Sequence, residues 1–149
     1  MSLAQDITQR LLSELSKKSD QPNVALNDSL RLLSKWRSGL IQNTLLKIEG
    51  TKVLSGPLKG LDFVEQSAEG CYIAKILGCY EQPLQPYIKR ALSKNYTTVI
   101  NIGCAEGYYA VGFARAIPKV TSLAFDSDPN AQESCRNLAE KTKCLTAYM

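Results

Sequence analysis

VINIGCAEGYYAVGFA, residues 99–114, runs from apolar and β-branched residues through a glycine turn into residues with the apolar spacing of a helix. The apolar run begins slightly earlier, as YTTVINI (96–102), and its β-branched composition is typical of a buried parallel strand. A helix is expected from Tyr108 to Ile117, because Pro118 cannot continue it. The segment therefore predicts a strand, a turn and a helix in direct succession.

A second strand and a second helix follow. KVTSLAFDSD (119–128) has the composition of a strand. Asp128 and Pro129 are a good N-cap and first position for a helix that reaches about Lys141. CLTAYM (144–149) has the residues of a third strand's beginning. Strands and helices that alternate at such short intervals predict an α/β fold with a parallel sheet and right-handed crossovers.

Two amphipathic helices are expected before the sheet. Residues 3–17 carry leucine and isoleucine at helical spacing, and the polar stretch around Pro22 interrupts this pattern. A longer apolar stripe begins near a capping residue, Asn27 or Asp28, and ends at Gly50. These stripes either cover the sheet, or bind a partner or a second copy of the chain.

The residues between the helices and the sheet predict smaller elements. TKVLSGPLKGLDFVEQ (51–66) alternates short apolar runs with glycine and proline, which favours a small β-hairpin. Residues 70–95 predict two short helical pieces divided near Pro83 and Pro86, the second reaching about Ser93.

The expected organisation is therefore a helical segment (1–50), a hairpin with short helices (51–95) and the first half of a sheet domain (96–149).

Composition narrows the class of protein. With 149 residues, 44% of them hydrophobic, the chain can bury the core of one compact domain. Eighteen Lys and Arg against fourteen Asp and Glu give a net charge of +4, spread along the sequence, which does not favour nucleic acid as a partner. No run approaches the roughly 18 apolar residues that span a bilayer, and the first residues lack the features of a secretion signal. A cytoplasmic protein without a membrane partner is expected.

Cysteine and histidine usage limits the chemistry. The chain has no histidine, so Ser-His and Cys-His catalysis are excluded. Its five cysteines are widely spaced and form no C-x-x-C pair, so no metal site is expected. Buried free thiols in a reducing compartment are the expected state of these residues. The cysteines are Cys71, Cys79, Cys104, Cys135 and Cys144.

The glycine turn opens a helix directly after a strand, where backbone N–H groups can hold an anion. A dinucleotide-binding turn has the pattern G-x-G-x-x-G, and here those positions are Gly103, Ala105 and Tyr108. Two of the three glycines are therefore missing. A Walker phosphate loop is excluded because no G-K-[ST] follows Gly107.

Two motifs together resemble a family of enzymes. NIGCAEGYY (101–109) resembles the D-x-G-A-x-x-G-Y/F turn of FkbM-type methyltransferases, a family of class I S-adenosylmethionine-dependent enzymes. LAFDSDPNAQ (123–132) resembles that family's next strand, which ends in an acid before a helix that starts with proline. The resemblance covers residues 96–141 and implies a Rossmann-like parallel sheet, truncated here to its cofactor-binding half.

The resemblance implies a role for the turn. Gly103, Cys104, Ala105 and Gly107 would shape the loop under the methionine part of S-adenosyl-L-methionine. Tyr108 would lie against the same arm of the cofactor, or else pack between helix and sheet.

The resemblance also implies that Asp126 accepts hydrogen bonds from both ribose hydroxyls, which a carboxylate can do at once. Ser127 would border the adenine through its backbone. The alternative for Asp126 is a helix-capping or solvent-facing acid.

One departure from the family pattern concerns charge. Asn101 stands where the family usually has an acid. An amide can accept a bond from the cofactor's ammonium group but brings no negative charge. Glu106 or Glu81 is expected to supply that charge, and otherwise each is a solvent-facing or helix-starting acid.

Methyl transfer depends mainly on holding two reactants in line, so it requires little acid or base chemistry. The resemblance implies an oxygen acceptor on a small molecule or saccharide. The catalytic residues are expected beyond residue 149, on loops of later strands. Two other classes remain open: another nucleotide-binding enzyme, and a binding module that uses the helices of residues 3–50. A homodimer through those helices, or through the open edge of the sheet, is a further expectation.

Overall fold

The computed structural model describes residues 2–65, 71–144 and 146–148. The chain divides into two compact units, residues 1–47 and residues 48–149. The first unit is helical, and the second contains the hairpin region, the short helices and the sheet.

The helical unit consists of α1 (Leu3–Lys17) and most of α2 (Pro22–Glu49). The prediction that α2 begins near Asn27 or Asp28 is wrong. Proline has a φ suited to the first helical position and needs no N–H there, so Pro22 starts the helix instead of interrupting the chain. Asp28 lies inside α2, where its carboxylate accepts a hydrogen bond from Lys18 Nζ at 2.6 Å.

These two helices bury little of their apolar surface. No described residue of α1 is buried, and in α2 only Ala25 and Ser29 are. Large apolar side chains of this unit therefore remain exposed: Leu3, Leu12, Leu15, Val24, Leu26, Leu30, Leu33 and Ile41. Among the described residues, no helix combines the length and apolar character that a membrane crossing requires.

The predicted hairpin is confirmed in a reduced form. A single antiparallel bridge joins Lys52 and Asp62, and Val53 N–H donates to Leu61 O at 2.9 Å. The loop packs its apolar side chains inward, and four are buried: Val53, Leu58, Leu61 and Phe63. Residues 66–70, at the end of this predicted hairpin and the start of the next segment, lie outside the described residues.

The two short helical pieces are confirmed as α3 (Tyr72–Leu77) and α4 (Gln85–Leu92). A 3₁₀ helix, Gln82–Leu84, precedes α4 directly. Pro86 lies in the first turn of α4, where its missing N–H is not needed.

The sheet has three parallel strands in the order β1 (Thr98–Ile102), β2 (Thr121–Phe125) and β3 (Thr146–Tyr148). Ile102 is paired with Phe125, so β1 and β2 end side by side at their carboxyl ends. The structure therefore confirms the predicted α/β fold with a parallel sheet. Within the predicted third strand, residues 145 and 149 lie outside the described residues.

Two helices follow the first two strands. α5 (Tyr108–Ala116) packs against β1, β2 and α6, and α6 (Pro129–Thr142) packs against β2 and β3. The predicted cap of α6 is confirmed, since the Asp128 side chain accepts a hydrogen bond from Asn130 N–H at 2.9 Å. Because α5 and α6 also contact each other, they cover the same face of the sheet.

The prediction of a buried first strand is wrong. On β1, Ile100 is 61% exposed and Ile102 is 82% exposed. These side chains alternate with Val99 and Asn101, which lie half-buried on the face that the helices cover. An apolar strand composition is typical of sheets covered on both faces, and it does not report which faces a given chain covers.

Gly112, in the middle of α5, makes room for a neighbour. A Cβ at this position would lie 2.5 Å from Leu58 Cδ1. Glycine in the middle of a helix costs conformational entropy. Here close packing of α5 against Leu58 of the hairpin region, and not against the sheet, compensates for that cost.

Candidate functional site

The glycine turn and Asp126 lie together at the carboxyl ends of β1 and β2. The N–H groups of Gly103 and Cys104 both donate to Phe125 O at 2.9 Å. Ala105 N–H donates to Asp126 Oδ2 at 2.8 Å. The loop after the first strand is thus fastened to the last residue of the second strand and to the carboxylate that follows it.

Glycine is required in this loop at two positions for different reasons. Gly103 has φ +74° and Gly107 has φ +90°, both in the left-handed region. A Cβ at Gly107 would lie 2.6 Å from Cys135 Sγ, whereas a Cβ at Gly103 would meet no heavy atom within 4 Å. The loop is therefore tightly packed against α6 at Gly107 and open at Gly103. Ala105 also has a left-handed backbone, with φ +45°.

Asp126 is held as an anion by backbone donors. Its Oδ1 accepts from Asp128 N–H at 3.0 Å, and its Oδ2 accepts from Ala105 N–H. These two bonds, that from Asp128 first, lower the pKa of the Asp126 carboxyl from its usual 3.8. A carboxylate oxygen can accept more than one hydrogen bond, so the group keeps capacity for two further donors.

A pH titration tests this arrangement. Because the pKa of Asp126 is lowered in the folded state, its stabilising effect is complete above the unfolded value and is lost as the pH falls through the folded value, below 3.8. We expect the Ala105 amide resonance to shift with an inflection below pH 3.8, followed by NMR. Asp126→Asn should abolish that inflection. An inflection above the usual aspartate range would contradict the two backbone bonds.

Cys104 does not have the environment of a nucleophile. It is buried, and burial raises the pKa of its thiol. Burial also raises the pKa of the Cys135 thiol to about 12, and the two side chains contact each other. All five cysteines are free, but Cys71 and Cys79 are exposed, so the expectation of buried thiols is wrong for those two. Cys71 is the N-cap of the short helix α3, and Cys79 follows the residue that ends it, Gly78.

Glu106 forms a buried ion pair that the sequence did not predict. Its Oε1 lies 2.7 Å from Lys75 Nζ, and the two residues are 0% and 2% exposed. The Lys75 ammonium also lies 4.9 Å from the centre of the Tyr80 ring. The alternative that Glu106 is a solvent-facing loop acid is therefore wrong, because the residue is buried beside Lys75 of α3. Its contribution of charge to a cofactor site stays a prediction. The one available signal was a lysine in the otherwise apolar stretch YIAKIL (72–77).

Tyr108 lies inside an aromatic cluster formed by Phe63, Tyr72, Tyr80, Tyr108 and Tyr109. Its ring meets Phe63 and Tyr80 edge to face, with ring centres 5.4 and 5.7 Å apart. Its hydroxyl donates to Lys75 O at 3.4 Å. Burial raises the pKa of Tyr108 to about 12. The ring thus packs against the hairpin region and α3, and its contact with a cofactor stays a prediction.

Glu81 reaches the first turn of α5 through a side-chain contact. Its Oε2 accepts a hydrogen bond from Tyr109 Oη at 2.8 Å. Burial and this acceptor together raise the pKa of the Tyr109 hydroxyl. Glu81 is exposed and has a left-handed backbone, with φ +45°.

The remaining predicted residues also lie near the loop in the chain. Asn101 is half-buried on β1 and is paired with Ala124. Ser127 is exposed between Asp126 and the helix cap. In the part of the chain that the structure describes, no cluster of three or more metal-ligating side chains occurs.

Comparison of the chain with models of known protein families, with curated proteins and with solved structures finds no match.

Proposed function

We propose that this chain is the S-adenosylmethionine-binding part of a class I methyltransferase with a Rossmann-like fold, and that the enzyme methylates oxygen on a small molecule or saccharide. The observation that carries the proposal is the 2.8 Å hydrogen bond from Ala105 N–H to Asp126 Oδ2. It fastens a glycine turn and an anionic carboxylate to each other at the carboxyl ends of adjacent parallel strands. That edge of an α/β sheet is where such folds bind ligands.

Each residue has a defined task in this proposal. Asp126 accepts hydrogen bonds from the two ribose hydroxyls, because each of its oxygens can accept a bond in addition to the one from the backbone. The open space above Gly103 admits the methionine part, and Asn101 accepts from its ammonium group. Ser127 borders the adenine through its backbone. The cofactor, when bound, supplies a methyl group already activated by its sulfonium, so these residues bind and orient the donor for an in-line displacement.

The loop geometry gives less support to a dinucleotide. A pyrophosphate approaches the backbone closely at the second glycine of G-x-G-x-x-G, where this chain has Ala105. The N–H of Ala105 is already bonded to Asp126, so it does not point to an incoming phosphate.

Calorimetry with S-adenosylhomocysteine tests the proposal. Asp126→Asn is expected to weaken binding about tenfold, because it removes the negative charge of the acceptor and replaces one of its two accepting oxygens with an NH2 donor. Asp128→Asn is the matched control, since asparagine also caps helices well and the same charge is removed two positions away. The control should bind within about twofold of the original chain.

Two results would contradict the proposal. One is equal binding by the original chain and by Asp126→Asn. The other is binding of NADH but not of S-adenosylhomocysteine, which would favour a dinucleotide enzyme.

A binding module is the second candidate, and the exposed apolar side chains of α1 and α2 favour it. In that case we propose that a second copy of the chain covers this stripe and forms a homodimer. Failure to bind S-adenosylhomocysteine, together with twice the monomer mass in solution, would support this candidate over the first.

A further inference from the structure

We propose that the edge of the sheet where the strands begin is a binding surface for single-stranded nucleic acid, formed by five exposed cations and two exposed tyrosines. The cations, together termed the basic edge, are Lys89, Arg90, Lys94, Arg115 and Lys119. The tyrosines are Tyr87 and Tyr96. This inference does not depend on the proposed function, because that function uses other residues at the opposite ends of the strands.

The fold gathers cations that are spread along the sequence. α4 leads into β1, and α5 connects β1 to β2 while packing against both strands. The last turns of both helices therefore lie where these strands begin. Ile88 and Leu92 of α4 pack against a buried cluster that contains Phe113 of α5, so the two helices are neighbours. Cations from two separate segments of the chain thus share one surface.

The positive charge of this surface is not balanced. From residue 82 to residue 125 the one acid is Glu106, which is buried and lies 2.7 Å from Lys75 Nζ. Among the residues that the structure describes, no cation of the basic edge forms an ion pair. Cations in a last turn also stabilise the helix end, but Lys94 and Lys119 lie beyond the helices that precede them. An unbalanced positive surface attracts a polyanion.

Two tyrosine rings accompany these cations. Tyr87 is 64% exposed and Tyr96 is 46% exposed. The Arg90 guanidinium lies 5.9 Å from the centre of the Tyr87 ring, and Tyr96 follows Lys94 by two positions. Rings and cations in alternation suit a single strand of nucleic acid, whose phosphates meet the cations while its unstacked bases lie on the rings. An acidic protein segment supplies the charge but no bases, so the tyrosines favour nucleic acid.

Fluorescence anisotropy with a labelled oligouridine of about 12 nucleotides tests the proposal on the full chain. We expect the association constant to fall about 100-fold between about 50 and about 200 mM salt, as for five phosphate contacts on a single strand. A triple variant of the basic edge should bind about 30-fold more weakly at the lower salt, and its logarithmic salt slope should be smaller by about 2. Its substitutions are Lys89→Gln, Arg90→Gln and Lys94→Gln.

Two sets of variants separate the basic edge from net charge. Lys35→Gln, Arg37→Gln and Lys47→Gln together remove the same charge from exposed positions of α2, and should weaken binding about threefold or less. Tyr87→Ala and Tyr96→Ala leave the charge unchanged. Each should weaken binding about fivefold or more without altering the salt slope, because a stacked base is lost. Far-ultraviolet circular dichroism that matches the original chain would show that each variant is folded.

Oligodeoxythymidine of the same length, measured in parallel, distinguishes RNA from DNA as the ligand, and preference for either supports the proposal. Three results would overturn it. The first is no binding of either strand at the lower salt, and the second is equal losses in the two triple variants. The third is a polyglutamate peptide that binds as tightly as the oligonucleotides while both tyrosine variants keep full affinity, which would assign the basic edge to an acidic protein. None of these results bears on the binding of S-adenosylhomocysteine, so the proposed function is tested separately.

Discussion

Lys75→Met is expected to lower the free energy of unfolding of residues 48–149 by about 3–5 kcal/mol. The ammonium of Lys75 lies 2.7 Å from Glu106 Oε1 among buried aromatic rings. Methionine fills a similar volume but leaves the Glu106 carboxylate buried without this cation, and desolvation of a charge is costly when its partner is removed.

Denaturation with urea can report this unit separately. All seven tyrosines lie in residues 48–149, while the one tryptophan, Trp36, lies in the helical unit. The near-ultraviolet circular dichroism of tyrosine should therefore show the loss, and the fluorescence of Trp36 should be much less affected.

A double variant, Lys75→Met with Glu106→Leu, is the control. Replacing both charges with apolar groups is expected to recover most of the lost stability, because a buried ion pair contributes little compared with an apolar pair. Losses that add up in the double variant would contradict this account. A single-variant loss below about 1 kcal/mol would do the same, since it would mean that the carboxylate is not desolvated.

The parts of the fold that the sequence predicted well are set by neighbouring residues. The order of strands and helices follows from local apolar patterns, and Asp128 with Pro129 specifies the start of α6. The proximity of the glycine loop to Asp126 was also predictable, because adjacent parallel strands bring their carboxyl ends together. The role of Asp126 in binding a cofactor is still a prediction.

The errors concern contacts between distant parts of the chain. Lys75 and Glu106 are separated by 31 positions, and Glu81 and Tyr109 by 28. A single sequence does not indicate which charged residues will meet across such distances, so Glu106 resembled a loop acid. The exposed face of β1 has a similar origin, since Ile100 and Ile102 are apolar whether or not a second layer covers them.

Pro22 illustrates a different kind of error. Proline is compatible with either the interruption or the first position of a helix, and the choice depends on whether the following residues continue the helix. Here they do, so α2 begins about a turn and a half before the predicted start. Asn27 and Asp28 led to the later start because both are common helix-capping residues.

Gly107→Ala is expected to destabilise residues 48–149 by about 2–5 kcal/mol, because two costs add. The left-handed backbone at φ +90° disfavours any Cβ, and the new methyl group would lie 2.6 Å from Cys135 Sγ. Separate variants can measure the two costs. Gly103→Ala has a similar backbone strain at φ +74° but no atom within 4 Å of its Cβ, so it should lose only about 1–2 kcal/mol.

Combining Gly107→Ala with Cys135→Ala isolates the collision with the sulfur atom. Removing the sulfur alone leaves a small cavity and costs stability, whereas in the Gly107→Ala background its removal also relieves the overlap. The double variant should therefore be more stable than the sum of the two single losses predicts, by about 1 kcal/mol or more. Additive losses, or equal losses for Gly107→Ala and Gly103→Ala, would mean that α6 moves away freely. The loop would then owe its shape to Asp126 and the strand ends, not to its packing on Cys135.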